Sequence, residues 1–129
     1  MQHPNIVRYH AFQEHAIWHR KSGESIEVAY IVQDLVTGGE LYIYFVNDGP
    51  FSDNLARHYF KTLLATTHFV HTNGFSHRDI KPQNILINEN FELKMIDFGF
   101  VSPLGGTHGQ GFNYTHVGTP GFMAPELLA

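Results

Sequence analysis

The feature that most constrains the fold of this sequence is one long amphipathic stretch near its centre. Leu55, Tyr59 and Leu63 recur four residues apart, and residues at this spacing lie on one face of an α-helix. The pattern predicts a helix from about Asp53 to about Thr72 whose apolar face packs against a core. The other members predicted for this core-facing stripe are Ala56, Phe60, Leu64 and Thr67.

Both ends of the predicted helix carry residue types that start and stop helices. Pro50 precedes it, Ser52 belongs to the residues that cap helix N-termini, and Asp53 places negative charge at the positive end of the helix dipole. Gly74 suits the left-handed backbone position that follows a helix C-terminus.

Short runs rich in β-branched and aromatic residues flank this helix. Residues 6–12 and 26–32 predict two strands, and the polar tract at residues 20–25 predicts the turn of a hairpin between them. After the helix, Ile85–Ile87 and residues 93–96 predict two more strands.

Two other segments show no clear period. Gly38 and Gly39 interrupt the chain before a short apolar stretch at residues 40–46. Residues 97–120 are rich in glycine, and a structureless loop of this length is usually functional or disordered.

The composition excludes several classes of protein. Eight Lys and Arg against twelve Asp and Glu argue against nucleic-acid binding, which needs clustered basic residues. The absence of cysteine excludes disulfides and thiolate metal sites, and it fits a reducing compartment. No apolar run has the length of a membrane helix, and the first residues do not resemble a signal peptide. We therefore expect an intracellular, cytoplasmic protein with no membrane partner.

Polar residues able to do chemistry concentrate after the long helix. Asp79, Lys81 and Asn84 offer a base, a cation and an oxygen ligand within six residues. Asp97 is a second carboxylate at the end of a predicted strand, and Gly99 leaves the chain free to turn there. Amide and carboxylate oxygens are ligands that Mg²⁺ accepts, with phosphate and water completing its shell.

Three blocks, in this order and spacing, resemble motifs of eukaryotic protein kinases. Residues 77–84 resemble the catalytic loop, residues 97–99 the magnesium-binding motif, and residues 118–126 the end of the activation segment. Lys81-Pro82-x-Asn84 and Gly118-Thr119-Pro120 resemble serine/threonine kinases rather than tyrosine kinases. The nearest subgroup by resemblance is that of the calcium/calmodulin-dependent and calcium-dependent kinases.

The resemblance implies an α+β, protein-kinase-like fold and a partial kinase domain over residues 1–129. In that reading, residues 1–34 are the end of the N-lobe with its strands 4 and 5, and residues 35–39 are the hinge. Residues 40–129 would begin the C-lobe, with the catalytic loop at 77–84 and the activation segment at 97–126. The expected activity is transfer of the γ-phosphate of ATP to Ser/Thr hydroxyls of protein substrates.

The resemblance also assigns catalytic roles to individual residues. Asp79 would orient the substrate hydroxyl and accept its proton, and Lys81 would stabilise the transferring phosphoryl group. Asn84 and Asp97 would hold the Mg²⁺ that bridges the ATP phosphates. Thr119 would lie beside Asp79 and favour Ser/Thr substrates.

At the expected hinge, the resemblance assigns contacts to ATP. Gln33 takes the gatekeeper position, and the backbone of Asp34 and Val36 would bind the adenine edge. Leu86 would form the floor under the base, and Glu40 would face the ribose hydroxyls or a basic residue of the substrate. For Gln33, a buried amide satisfied by its neighbours is an equal alternative.

Two further sets of residues have expected supporting roles. His77 and Phe98 would stack behind the site, with Tyr9 as a third member. Arg78 resembles the arginine of kinases that are switched on by phosphorylation, and Thr115 is where an upstream activating kinase would place the phosphate. Ser102 stands where a second basic residue is usual, so the expected phosphate pocket is weaker than in the family. An ordinary exposed threonine is the open alternative for Thr115.

Neither G-x-G-x-x-G nor a V-A-I-K-like block occurs in the sequence. The resemblance therefore predicts an interior fragment of a kinase domain, and we expect the 129-residue chain alone to be inactive. The alternative is a non-catalytic, truncated kinase-like remnant or an interaction module, which would not bind Mg-ATP.

Overall fold

The computed structural model describes residues 2–106, 109, 113 and 115–128. Short 3₁₀ turns occur at Pro82–Asn84 and Pro125–Leu127. The helices and strands, in chain order, are β1 (Tyr9–His19), β2 (Ser25–Gln33), α1 (Leu41–Asp48), α2 (Asp53–Thr72), β3 (Phe75–Ser76), β4 (Ile85–Ile87), β5 (Leu93–Met95) and β6 (Ser102–Pro103).

The predicted hairpin is confirmed, because β1 and β2 pair in antiparallel register. The prediction of its first strand at residues 6–12 was wrong at both ends. Residues 6–8 precede β1, and Val7 N–H instead donates to the Met95 carbonyl at 3.0 Å. The strand also continues to His19. Its second half mixes polar and apolar residues, and side chains there contact those of β2, as His15 Nδ1 does with Glu27 Oε1 at 2.8 Å.

The apolar stretch at residues 40–46 forms the helix α1, which the sequence did not predict. Its first six residues are apolar or aromatic on every side, so no amphipathic period marks it. Leu41 is buried, and the helix ends at Gly49, where the backbone takes a φ of 79°. This helix lies next to β4 and to the turn at Pro82–Asn84.

The long helix α2 has the predicted bounds and caps. Ser52 Oγ accepts a hydrogen bond from Leu55 N–H at 3.4 Å, and Asn73 ends the helix before Gly74, whose φ is 84°. The charge and cap signals that predicted both ends are therefore confirmed.

The predicted core-facing stripe of α2 was partly wrong. Tyr59, Thr66 and Val70 are the buried positions, whereas Phe60 is 60% exposed and Leu64 is 54% exposed. The helix turns the face bearing Tyr59 toward β5, and Leu63 packs against the buried core, whereas the face bearing Phe60 and Leu64 is exposed. Leu55 and Ala56 of the predicted stripe are exposed as well.

The core joins both helices to the strand pair β4 and β5. β4 and β5 pair antiparallel, confirming the second predicted strand pair, although β5 ends at Met95 rather than at residue 96. Gly38 fits closely against β4, because a Cβ at this position would lie 2.3 Å from the Ile87 carbonyl oxygen. The buried cluster consists of Leu41, Tyr59, Ile85, Ile87 and Leu93.

Part of the segment that the sequence predicted as a loop is a strand. β6 pairs antiparallel with β3, with Ser76 opposite Ser102. Two residues are too few to produce a sequence period, so only the fold shows this pairing. No helix in the described part of the chain combines the length and apolar character needed to cross a membrane.

Candidate active site

His77 joins the loop after β3 to the segment that follows β5. This side chain is only 2% exposed, and its Nε2 lies 2.9 Å from the Ile96 carbonyl oxygen. A carbonyl oxygen can only accept, so Nε2 carries the proton and Nδ1 is free to accept from Asp79 N–H at 3.2 Å. One imidazole therefore fixes the backbone at both Asp79 and Ile96.

Asp79 lies at the centre of the polar cluster and is 5% exposed. Its Oδ1 accepts a hydrogen bond from Thr119 Oγ1 at 2.7 Å. Its Oδ2 accepts from Asn84 Nδ2 at 2.8 Å and pairs with Lys81 Nζ at 2.7 Å. The structure thus brings together all four residues that the sequence assigned to catalysis.

These contacts keep the buried carboxylate of Asp79 ionised. Burial raises its pKa, but hydrogen bonds from Lys81, Thr119 and Asn84 outweigh burial and hold the pKa below the ordinary value. A negatively charged acceptor within hydrogen-bond reach of a bound hydroxyl is the requirement for a general base.

Thr119 lies beside this carboxylate although the two residues are far apart in the sequence. Lys81 Nζ donates to Thr119 Oγ1 at 2.6 Å, while Thr119 donates onward to Asp79. Gly118 allows the approach, because its φ is 128° and a Cβ there would lie 3.0 Å from the Arg78 carbonyl oxygen. A side chain at this position would meet the Arg78 carbonyl and would move Thr119 away from Asp79.

Asn84 and Asp97 present oxygen atoms of the kind that a magnesium ion needs. Both amide hydrogens of Asn84 are used, since Nδ2 donates to the Asp79 carbonyl and to Asp79 Oδ2 at 2.8 Å each. Its Oδ1 accepts no hydrogen bond from the described residues, and the exposed Asp97 carboxylate accepts only the local N–H of Gly99 at 3.2 Å. This donor set fits a hard cation with phosphate and water as further ligands.

A backbone hydrogen bond holds the segments of these two candidate ligands together. Ile96 N–H donates to the Asn84 carbonyl at 3.0 Å, so the residue before Asp97 is bound to Asn84. Asp97 itself adopts a φ of 59°, a left-handed conformation that is unfavourable for a residue with a side chain.

The expected aromatic stack is present behind the site. The His77 and Phe98 rings have centroids 4.8 Å apart, and Tyr9 meets Phe98 edge-on at 6.4 Å. Tyr9 comes from β1, so this stack connects the hairpin to the segment carrying Asp97.

The residues expected to contact ATP lie along the end of β2 and the following segment. Gln33 is exposed in the described part of the chain, and it shares a pocket of about 350 Å³ with Asp97. Asp34 uses its N–H to bind the Arg8 carbonyl at 2.9 Å, and its carboxylate Oδ1 lies 2.6 Å from His10 Nε2.

The other two expected nucleotide contacts, Glu40 and Leu86, form a backbone bridge with each other. Both are half-buried, and Leu86 belongs to β4, which begins directly after Asn84. Val36 is half-buried in the connecting segment.

The structure does not join the two residues assigned to regulation. Arg78 donates from Nε to the Phe100 carbonyl at 2.6 Å, and no hydrogen bond connects it to the exposed Thr115 within the described ranges. Buried Ser102 donates to Asn113 Oδ1 at 2.5 Å, and Asn113 Nδ2 reaches the Pro103 carbonyl at 3.3 Å. Sequence reasoning missed this contact of Asn113, and no motif signals it.

A comparison with protein families matches the whole of residues 1–129 to the protein kinase domain. The chain belongs to the protein kinase domain family. The resemblance derived from the three motifs is thereby confirmed, and with it the α+β kinase-like fold class.

Named protein kinases are among the similar proteins. CBL-interacting protein kinase 9 of Oryza sativa subsp. japonica is 37% identical over 129 residues, which is 100% of this kinase chain and 26% of the relative. CBL-interacting serine/threonine-protein kinase 3 of Arabidopsis thaliana is 34% identical over 99% of the chain and 27% of the relative. Protein kinase 3 of Dictyostelium discoideum is 36% identical over 99% of the chain and 14% of the relative. The chain therefore spans about a quarter or less of the length of these kinases.

Proposed function

We propose that the protein carrying this chain is an ATP-dependent serine/threonine kinase that phosphorylates proteins. The buried, ionised Asp79 is the observation that carries the proposal, because Lys81, Thr119 and Asn84 all point their donors at its two oxygens. Two relatives bear the name of kinases that interact with CBL, and one of these names specifies serine/threonine as the target. ATP and protein substrates are the partners of such a reaction.

Phosphoryl transfer needs positioning and charge stabilisation more than covalent chemistry from the protein. Asp79 would accept a hydrogen bond from the substrate hydroxyl, align the oxygen for attack and take its proton. Lys81 lies 2.7 Å from that carboxylate, where its positive charge can stabilise the transferring phosphoryl group. Magnesium held by Asn84 Oδ1 and the Asp97 carboxylate would supply the positive charge that neutralises the ATP phosphates.

For nucleotide binding we assign the adenine of ATP to the edge of the segment at residues 33–36. The Asp34 carbonyl and the Val36 backbone would bind adenine, since the Asp34 N–H already bonds to Arg8. Leu86 would lie under the base, and Glu40, its bridge partner, would face the ribose or a basic substrate residue. Gln33 would stand at the entrance to the pocket it shares with Asp97.

For regulation we propose that an upstream kinase phosphorylates Thr115. Thr115 is exposed, and Arg78 keeps its two terminal nitrogens available because only Nε donates to Phe100 among the described contacts. A phosphate can pair with both nitrogens of a guanidinium. The neutral Ser102 in place of a second basic residue would make this pairing weaker.

The test compares the natural full-length protein with two carboxylate substitutions in a peptide phosphorylation assay. Asp79→Asn should reduce transfer by about 100- to 10,000-fold, because this is what loss of a general base costs. Asp48→Asn, at the exposed end of α1, is the matched control and should keep full activity. A natural protein that neither transfers phosphate nor binds Mg-ATP would overturn the proposal and favour the non-catalytic remnant.

A further inference from the structure

The turn between β4 and β5 holds a large aromatic residue in a backbone conformation that favours glycine. Phe91 has a φ of 59°, which is uncommon for a bulky residue, and it is 66% exposed. Burial of the ring therefore does little to offset the strain of the left-handed backbone. Backbone strain of this kind concentrates at functional sites, so the exposed ring indicates a role beyond stabilising the fold.

Hydrogen bonds within the turn and from α2 fix Phe91 in this conformation. Asn88 Oδ1 accepts from Asn90 N–H at 3.0 Å and from Glu92 N–H at 2.8 Å. Phe91 N–H donates to the Asn88 carbonyl at 3.0 Å. The Phe91 carbonyl accepts from the Tyr59 hydroxyl at 3.1 Å. None of these bonds involves the ring of Phe91, so the turn presents the ring but does not need it in order to form.

The ring of Phe91 lines an apolar pocket of about 300 Å³ between the β4–β5 turn and the two helices. Phe51, just before α2, lines the pocket as well, and so does Leu55, which is 40% exposed. The residues assigned to catalysis and to magnesium binding do not line it, so this surface is separate from the candidate active site. Its volume is at the lower end of the range of ligand pockets and suits one or two side chains of a partner.

The surroundings of this pocket are negative. Its lining in the described part of the chain contains no Lys or Arg, and the last turn of α1 carries no basic residue. The helix ends at Gly49 in the pocket wall, and the C-terminus of a helix is the negative end of its dipole. Glu89 lies two residues before Phe91, is exposed, and forms no ion pair with the described residues. A partner that complements this surface is therefore basic as well as apolar.

We propose that Phe91 and this pocket form a docking surface for a short, flexible segment of a partner protein that carries Leu, Ile or Val beside Lys or Arg. The aliphatic side chain would enter the pocket against the Phe91 ring, and the basic side chain would face Glu89 and the end of α1. The apolar anchor supplies affinity, while the charges select the partner and speed its association. Because no catalytic residue takes part, this binding does not require phosphoryl transfer.

Selection from a phage-displayed library of random short peptides tests this surface on the natural full-length protein. The enriched peptides should combine an aliphatic side chain with Lys or Arg, and their Kd should rise about 10-fold or more in Phe91→Gly, as for loss of an aromatic anchor. Phe91→Tyr is the matched control, because it keeps the ring and should keep the affinity. Enrichment of acidic peptides would overturn the proposal. Enrichment of no peptide that depends on Phe91 would overturn it as well, and this result is expected if another part of the chain or a second copy fills the pocket.

The same variant separates docking from packing. Glycine adopts a positive φ without strain, so the urea midpoint of Phe91→Gly should stay the same or rise although the ring is lost. Loss of peptide binding without loss of stability is the result expected for a docking residue. A lower midpoint would show that the ring supports the fold and would overturn its role in docking.

Charge reversal tests the basic part of the partner. Glu89→Lys should weaken binding of the selected peptides several-fold at low salt, and the difference should shrink at high salt because salt screens exposed charges. Glu14→Lys, at an exposed position of β1, makes the same change in net charge and should bind like the natural protein. Equal effects of the two reversals would overturn the local contact with Glu89.

Discussion

Thr119 donates a 2.7 Å hydrogen bond to Asp79 Oδ1 although the two residues are 40 positions apart. The other carboxylate oxygen, Oδ2, is held by Lys81 and Asn84 from within the same loop. The set of hydrogen bonds to Asp79 is therefore complete only when residues 118–119 lie against residues 77–84. The orientation of the proposed base thus depends on the position of residues 118–119.

The first prediction concerns this contact. Thr119→Ala removes a hydrogen bond to a charged group, worth about 1.5–3 kcal/mol. If the contact persists in the transition state, kcat/KM should fall roughly 10- to 150-fold. Thr119→Ser keeps the hydroxyl and should retain most of the activity in the same assay. Equal losses in the two variants would contradict a role for the hydroxyl.

The second prediction concerns acid stability. Burial raises the pKa of Asp79, but hydrogen bonds from Lys81, Thr119 and Asn84 lower it by more. The unfolded chain therefore binds this proton more readily, with a pKa of about 3.9. The contribution to stability is full above that value and is lost as pH falls through the lower pKa of the folded state.

Urea unfolding at a series of pH values measures this loss. Between about pH 5 and pH 2, the free energy of unfolding should fall more steeply in the natural protein than in Asp79→Asn. Asp48→Asn should follow the natural protein, since it leaves Asp79 in place. Parallel curves for the natural protein and Asp79→Asn would show that this carboxyl group has the same pKa in both states.

The third prediction concerns the close approach of Gly38 to β4. A Cβ there would lie 2.3 Å from the Ile87 carbonyl oxygen, which is backbone and cannot move aside easily. Gly38→Ala should cost about 1–3 kcal/mol of stability, as overpacking does. Gly105→Ala is the control, because a Cβ at that position meets no atom within 4 Å. Urea unfolding with no difference between the variants would contradict the close contact.

The long helix was predictable because local chemistry determines it. Ser52 and Gly74 mark its ends, and these signals depend only on neighbouring residues. Its packing was not equally predictable. Tyr59 is buried while Phe60 and Leu64 are exposed, because periodicity identifies apolar faces but not which one meets the strands.

The family and the clustering of Asp79, Lys81 and Asn84 were predictable for a similar reason. These residues share one loop, and their motif is specific enough to identify the family. The contact of Asn113 with Ser102 depends on β6 pairing with β3, two strands of two residues each. No local pattern encodes that pairing, so the contact could be found only in the folded structure.

The last prediction concerns His77, which is 2% exposed and bonds both Asp79 N–H and the Ile96 carbonyl. His77→Phe keeps a ring against Phe98 but leaves a buried N–H and a buried C=O unpaired, which costs about 1–3 kcal/mol for each unsatisfied group. We expect the free energy of unfolding to fall by at least about that amount, and kcat to fall with it because Asp79 loses its backbone restraint. His71→Phe, at an exposed position near the end of α2, should change neither quantity. If His77→Phe matched that control in urea unfolding and in rate, the imidazole would be only a packing element and the two hydrogen bonds would not hold the loop.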